Sequence, residues 1–341
     1  MSHPIIWKKA GIFLGAGTFF LSLLMFLPVL GTGTAECADP PYPSRPIKLV
    51  VSFATGGSTD IAARALAPPI QEFLGQPLVV INTPGAGGAV GFDDVRKSDP
   101  DGYKLMMAAI GANVLVPAMN PRLHFKYDEL TYIACTQINP NVIIVNAKSP
   151  WKNFAEFAEA VRSNPAKYKF ATAGVGQVSH VGPLLLMKEI GAQDPLASPV
   201  HYDSEGESVL ALVRGDADFC QVNLNSAAAS LKGGRVRCLG ITTPERMDPI
   251  KNVPTFRELG YPKLNVVGWR GIAGPPGLPS HVVKKWEEAV ANTCKSPKWL
   301  KVIESLGDIP SYMNSKEFTA YVHEEFKRYR EIFQAAGIMM K

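Results

Sequence analysis

Cysteine is scarce in this chain and never closely spaced. The 341 residues hold five, Cys37, Cys135, Cys220, Cys238 and Cys294, with no C-x-x-C pair. That excludes a zinc ribbon and a thioredoxin-type redox motif. No Walker lysine follows a glycine loop, and neither an H-E-x-x-H helix nor an EF-hand loop occurs. A P-loop cradle, a zincin centre and a calcium loop are therefore excluded. Gly85-x-Gly87 with Gly91 is not G-x-G-x-x-G, so a dinucleotide fold lacks its fingerprint. Charged residues make up only 19% of the chain and are interspersed, without a basic block. Nucleic-acid binding thus has no electrostatic footprint. No internal repeat or low-complexity tract follows the first forty residues. No metal, no cofactor, no nucleic-acid partner and no catalytic group are expected.

The first forty residues differ from the rest. Lys8 and Lys9 precede an uncharged apolar stretch from Ala10 to about Leu30, and the small residues Gly31, Gly33 and Ala35 follow. This is the pattern of a secretory signal peptide. The stretch is also about long enough, at roughly 20 helical residues, to be kept as a membrane anchor. Residues 1–38 are expected to be a signal peptide or N-terminal anchor, and the remainder extracytoplasmic. Cys37 stands where a lipoprotein cysteine would, but Glu36 before it is neither small nor neutral, against lipidation. Lys8, Lys9 and Glu36 account for +1 of the formal +5, which leaves +4 on the exported part. Cys220 and Cys238 fall on two expected strands, as free thiols or as a disulfide in an oxidising compartment.

From residue 45 onward the pattern is strand, glycine turn, helix. Ile47–Phe53, Leu78–Ile81 and Leu105–Ala109 read as buried strands. A helix runs from Asp60 to Leu74, with Ile61, Ala65, Leu66, Ile70 and Phe73 expected on its buried face. The plan repeats with strands at Val142–Val145, Phe170–Ala173, Phe219–Val222 and Val236–Ile241. Between them lie a helix capped by Asn153, one from Ser179 to Ile190 and one over Val209–Arg214. The alternation predicts parallel sheets covered on both faces. The end is a strand at Trp269–Ala273, a helix from Ser280, and a last helix from Asn314, with Glu317 as capping-box partner, to Gly337. This tail is expected to return to the first lobe. The fold class expected is α/β, two lobes with a ligand cleft between them: lobe 1 from 39–140 and 263–341, lobe 2 from 141–262.

Three strand-exit turns carry the functional signal: Thr55-Gly56-Gly57-Ser58-Thr59-Asp60, Asn82-Thr83-Pro84-Gly85-Ala86-Gly87-Gly88 and Gly174-Val175-Gly176-Gln177-Val178-Ser179. Each opens a helix. The first amides of a helix are unpaired, and the helix dipole adds about half a positive charge there. Glycine lets a ligand approach the backbone closely. Such turns facing each other from two lobes would hold an anion without a lysine or arginine. The same glycines, with Ser58, Thr59 and Ser179 as plain N-caps, equally shape ordinary turns.

Other polar residues read both ways. Asp60 and Arg64 are four apart on a helix and read as a surface or rim ion pair. Asn223, Asn225 and Ser226 follow a strand, as do Tyr202 and Asp203, placed for a ligand or for a turn. Arg270 reads as a solvated loop residue, with a hidden counter-charge as the other reading. Gly56-Gly57-Ser58-Thr59-Asp60 approaches a nucleophile elbow up to its last position, but no spacing supplies the histidine and acid.

Several runs together carry a family resemblance. They are Tyr42-Pro43-Ser44-Arg45-Pro46-Ile47-Lys48-Leu49-Val50-Val51 with Gly56-Gly57-Ser58-Thr59-Asp60, then Leu74-Gly75-Gln76-Pro77, Asn82 with Gly85-Ala86-Gly87-Gly88, and Pro100-Asp101-Gly102-Tyr103. Val253-Pro254-Thr255 with Glu258-Leu259-Gly260 completes the set. Over residues 42–338 the chain resembles the Bug-type receptors, the extracytoplasmic solute-binding proteins of tripartite tricarboxylate transporters. The resemblance implies a Venus flytrap that holds a small carboxylate-bearing ligand through loop backbone groups, small polar side chains and water. It implies a periplasmic monomer that meets membrane transporter subunits transiently. Carried over residue by residue, the first-lobe contacts are Phe53, Thr55, Gly57, Ser58, Thr59, Asp60, Asn82, Gly87, Gly88, Gly111 and Asn113. Those of the second lobe are Gly176, Ser179, His180, Tyr202, Asn223 and Ser226.

The chain also departs from the family. Ala54 and Thr55 stand near a frequent proline, Val222 where an aspartate is common, Arg270 where an aromatic often follows Trp269, and His201-Tyr202-Asp203-Ser204-Glu205-Gly206 where Pro-Tyr-Lys-Gly is common. Asp203 and Glu205 would disfavour a dicarboxylate or favour a ligand with an amine. A ligand-sensing subunit for a membrane signalling protein and a secreted α/β hydrolase are the alternative functions.

Overall fold

The computed structural model describes residues 41–340, so the leader and Cys37 lie outside the described residues. Two sheets organise the chain. The first contains β1 (Ile47–Val51), β2 (Leu78–Asn82), β3 (Lys104–Ala109), β4 (Thr131–Asn139), β10 (Gly268–Gly274) and β11 (Ile309–Met313), in the order β11-β4-β10-β3-β1-β2. The second contains β5 (Asn141–Asn146), β6 (Lys169–Thr172), β7 (Ser198–His201), β8 (Phe219–Asn223) and β9 (Val236–Ile241), in the order β7-β6-β8-β5-β9. The chain passes between them at Pro140, which separates β4 from β5, and again between β9 and β10. The tail supplies β10 and β11 to the first sheet.

The expectation of parallel sheets holds only in part. β1 runs parallel to β2 and β3, and β6 parallel to β7 and β8. The strands next to the crossings are antiparallel: β10 to β3 and β4, β11 to β4, and β5 to β8 and β9. A strand arriving from the other lobe enters without a helical crossover, so nothing forces it parallel. The sheets are mixed for that reason.

Burial explains the elements. Val50 points into one cluster with Phe92, Met106, Trp269 and Phe318, whereas Ile47, Leu49 and Val51 point into another with Leu66, Ile70, Trp286 and Trp299. Both faces of β1 are covered except at the exposed Lys48, so the strand is apolar on both faces beyond that residue rather than alternating. Each such side chain contributes about 1.5–3 kcal/mol on burial. Helix α1 (Ser58–Leu74) lays Ala62, Ala63, Leu66, Ile70 and Leu74 on the sheet. The buried stripe is rotated from the expected one: Ile61, Ala65 and Phe73 are only partly covered. The second sheet is flanked by clusters around Phe157, Phe170 and Phe219 on one face and Val142, Ile144 and Leu212 on the other.

The capping signals are read correctly. Asn153 accepts from Glu156 N and opens α4 (Phe154–Ser163). Asn314 and Glu317 form the capping box of α10 (Ser315–Ala336), which Gly337 ends at φ +67°. The disulfide reading fails. β5 runs between β8 and β9, with Ile144 paired to both Cys220 and Cys238. Two strand spacings, about 10 Å, separate the cysteines, beyond disulfide reach. All four described cysteines are free.

Candidate functional site

Four helices start on one pocket between the two sheets. They are α1, α5 (Val178–Glu189), α6 (Glu205–Arg214) and α7 (Leu224–Lys232), and each follows the end of a strand: β1, β6, β7 and β8 respectively. The pocket is lined by Gly57, Ser58 and Thr59 from the first start, Gln177 and Val178 from the second, Ser204 and Glu205 from the third, and Asn223 from the fourth. Phe53, Ala109, Ile110, Gly111, Ala173 and Arg270 complete the wall. Carboxyl ends of strands are where open α/β sheets bind ligands. At the N-termini of α1, α5 and α7 no side chain caps the helix, so their first amides face the pocket without a side-chain partner. Several positive dipole ends at one place favour an anion.

The enclosed space is about 30 Å³, room for one or two water-sized groups, roughly a carboxylate. A larger chamber of about 340 Å³ adjoins it and shares Phe53 and Ala173; it is lined by Ser52, Pro84–Gly88, Gly174, Val175 and His201–Asp203. The candidate cleft therefore has a narrow polar inner end and a wider outer part.

The loop before α1 is held rigid from behind. Asp60 Oδ2 accepts from Gly56 N at 2.9 Å, and its Oδ1 accepts from Arg64 Nε and Asn82 Nδ2, each at 2.9 Å. Asn82 Nδ2 also donates to Phe53 O, and Thr55 Oγ1 donates to Asn82 Oδ1. Burial alone would raise the Asp60 pKa, but the bonds from Arg64, Gly56 and Asn82 outweigh it and hold the carboxyl below its usual range. Asp60, Asn82 and Thr55 thus shape the loop rather than line the inner pocket. The Asp60–Arg64 rim pair is as expected, with Asp60 buried and Arg64 half exposed.

Other expected contacts also serve the frame. Ser179 Oγ accepts from Ala173 N, and His180 Nδ1 accepts from Gly176 N. Asn113 lies in the π-helical turn Gly111–Leu115, fully buried, where its Oδ1 accepts from Ala109 N. Ser226 Oγ donates to Glu205. Gly87, Gly88 and Tyr202 line the outer chamber. Of the expected residues, Phe53, Gly57, Ser58, Thr59, Gly111 and Asn223 meet at the inner pocket.

The glycines allow close contacts across the pocket. A Cβ on Gly57 would stand 3.4 Å from Ser204 Cβ, and one on Gly176 2.8 Å from Val116 Cγ2. Gln177 reaches across, its amide donating to Gly87 O and packing against Gly111.

Gln177, Ser204, Glu205 and Arg270 are the polar pocket residues that the sequence reading did not select. Arg270 is a correction. It is no solvated loop residue but a strand residue of β10, 3% exposed, paired to Ala109 and Gln137. Its Nη2 donates to Ser58 Oγ and its Nη1 to Trp269 O, both at 2.9 Å. Glu205 accepts from Asn223 N and Nδ2 and from Ser226 Oγ. Burial raises its pKa, against the pull of those bonds and of Arg270. Its oxygens are already engaged, so the structure weakens the expectation that Glu205 selects an amine. Ser58 is bonded to a guanidinium, which cannot take a proton, and none of the described histidines lines the inner pocket.

Among the described residues no group of three or more histidine, cysteine, aspartate or glutamate side chains could hold a metal ion, and no helix is long and apolar enough to cross a membrane.

Two mixed α/β sheets, two chain crossings and a pocket of helix N-termini between them define a solute-binding receptor of the periplasmic type. The family model described as tripartite tricarboxylate transporter family receptor matches residues 62–338, and the chain belongs to that family. BugT of Bordetella pertussis is 27% identical over 319 residues, which cover 93% of this chain and 97% of BugT. The structure of the periplasmic binding protein BugD superposes with TM-score 0.83 at 28% identity, covering 88% of this chain and all of that one. MatC of Rhodopseudomonas palustris, solved with bound malate, superposes with TM-score 0.79 at 29% identity, covering 85% of this chain and 99% of MatC.

Proposed function

We propose that this chain is a periplasmic receptor that closes its two lobes over a small carboxylate-bearing molecule and delivers it to membrane transporter subunits, with no chemistry done on it. The described residues of 39–140 and 263–341 move as one body and 141–262 as the other, the chain acting as a monomer. The observation that carries the reading is the convergence of four helix N-termini on the inner pocket. A carboxylate there meets uncapped amides at Ser58 and Thr59, and the rest of the molecule extends past Phe53 into the outer chamber. The malate seen in MatC is a ligand of the proposed class.

A thermal-shift screen tests it, with mono-, di- and tricarboxylates, amino acids and aromatic acids added to the purified protein. A ligand at about a hundred times its Kd adds about 2.7 kcal/mol. At about 2–4 °C per kcal/mol the melting point rises by several degrees. Hits confined to acids support the reading. A folded, ligand-free protein that responds to none of them sinks it.

A further inference from the structure

We propose that Arg270 is the specificity-determining residue of the cleft: its guanidinium pairs directly with the ligand's carboxylate at the start of α1. The inference rests on the receptor reading above and sharpens it from an anion held by amides to a carboxylate held by a buried cation.

Arg270 sits mid-strand in β10. Opposite it β4 skips a residue, because Arg270 pairs with Gln137 and Gly271 with Cys135. The extra residue is Thr136 of β4, whose Oγ1 donates to Arg270 O. The guanidinium crosses to the first loop and reaches Ser58 Oγ at 2.9 Å. It thus stands at the end of α1 whose amides carry no cap.

Its bonding is incomplete. A guanidinium offers five N–H donors. The bonds of Arg270 go to Trp269 O and Ser58 Oγ, both neutral, and its buried Nε has no partner. Glu205 and Asp308 act on it as nearby charges. Glu205 is bonded to Asn223 and Ser226, and Asp308 Oδ2 to Gln137 and Asn225; Asp308 Oδ1 is buried without a partner, and neither carboxylate bonds the guanidinium. A buried cation without a bonded anion is costly, and an incoming carboxylate removes that cost. Charge-assisted, fork-shaped pairing is what a guanidinium does best with a carboxylate. Gly268 keeps this corner open: a Cβ there would lie 2.6 Å from Asn223 Oδ1 and 3.4 Å from Arg270 Nη1. Asn223 Oδ1 is likewise buried without a partner.

The test couples a change in the protein to a change in the ligand. Dissociation constants are measured by calorimetry for malate, succinate, adipate and benzoate and for the amide in which one carboxylate of each is replaced. Wild type, Arg270→Lys and Arg270→Gln are compared, with folding checked by circular dichroism. For the acid that binds wild type most tightly, the expected preference over its amide is about 30-fold or more. In Arg270→Gln it collapses to within about 3-fold, and Arg270→Lys keeps an intermediate preference, because a point charge remains without the fork. A residue that only supports the fold would weaken acid and amide alike. An unchanged preference in either folded variant overturns the assignment while the receptor reading stands. No acid bound by wild type overturns the receptor reading, and this assignment with it. Should Arg270→Gln fail to fold, the ratio in Arg270→Lys decides.

Discussion

His180 shows how a residue that reads as a ligand contact becomes part of the frame. Its imidazole is buried behind the second-lobe turn and accepts from Gly176 N. Burial, and then the charge on His201, push its pKa down to about 4. The native state therefore keeps the ring neutral, while the unfolded chain protonates it near its ordinary value, about 6.5. The stability this gives is full above about 6.5 and is lost as pH falls toward about 4, where the unfolded chain binds the extra proton. Asp308 acts oppositely: burial raises its pKa to about 6, so its share is present at low pH and lost as pH rises through that value. The two overlap in the same window, so the variant rather than the wild-type slope is informative. His180→Gln keeps an uncharged acceptor for Gly176 and is expected to lose less melting temperature between pH 7 and pH 5 than wild type. An identical loss in both proteins would show that this ring does not set the acid limb.

At the scale of elements, the glycine turns do two jobs. Gly57 has φ −78° and no need of left-handed backbone, so a side chain is tolerated locally. A Cβ there would stand 3.3 Å from Ala54 O of its own loop and 3.4 Å from Ser204 Cβ across the pocket. Gly57→Val is expected to abolish closure and reduce ligand affinity by at least about tenfold, with a melting point close to wild type; one methyl pressed into a closed contact costs about 1–3 kcal/mol. Calorimetry beside a melting curve checks it, and wild-type affinity would refute the closure contact. Gly87 is different. At φ +64°, with Val175 O 2.6 Å from its would-be Cβ, valine there adds backbone strain to the collision, so both binding and stability fall.

Across the whole molecule, the proposed closure has one polar contact to act through. Gln177, at the start of α5, donates to Gly87 O across the pocket while lining its inner end. A ligand gains affinity only as far as it favours the closed arrangement over the open one. Gln177→Ala removes one neutral cross-lobe hydrogen bond, worth about 0.5–1.5 kcal/mol. The expected result is a Kd about 2- to 12-fold higher, carried mainly by faster dissociation, as stopped-flow release would show. An unchanged dissociation rate would mean that the bond plays no part in holding the lobes shut.

The sequence by itself determined what is local. Ile47–Val51 had to be a strand covered on both faces because its run is apolar but for Lys48, Asn314 with Glu317 had to start a helix, and the turns at Gly57, Gly87 and Gly176 had to open helices. Gly57, Ser58 and Asn223 could be picked for the pocket because strand-exit position is written in adjacent residues. What only the tertiary structure decided is what non-adjacent segments do to one another. Thr131–Asn139 reads as no clear element, since Thr136, Gln137 and Asn139 are polar yet buried; it is a strand because β10 and β11 pair with it. Asn113 looks like a ligand contact until the turn folds its side chain back onto Ala109 N. Arg270 looks solvated until the returning tail lays β10 between β3 and β4. The physical reason is the same in each case. A residue's burial and partners are set by strand order and register across more than a hundred residues of chain, and no local pattern encodes that pairing.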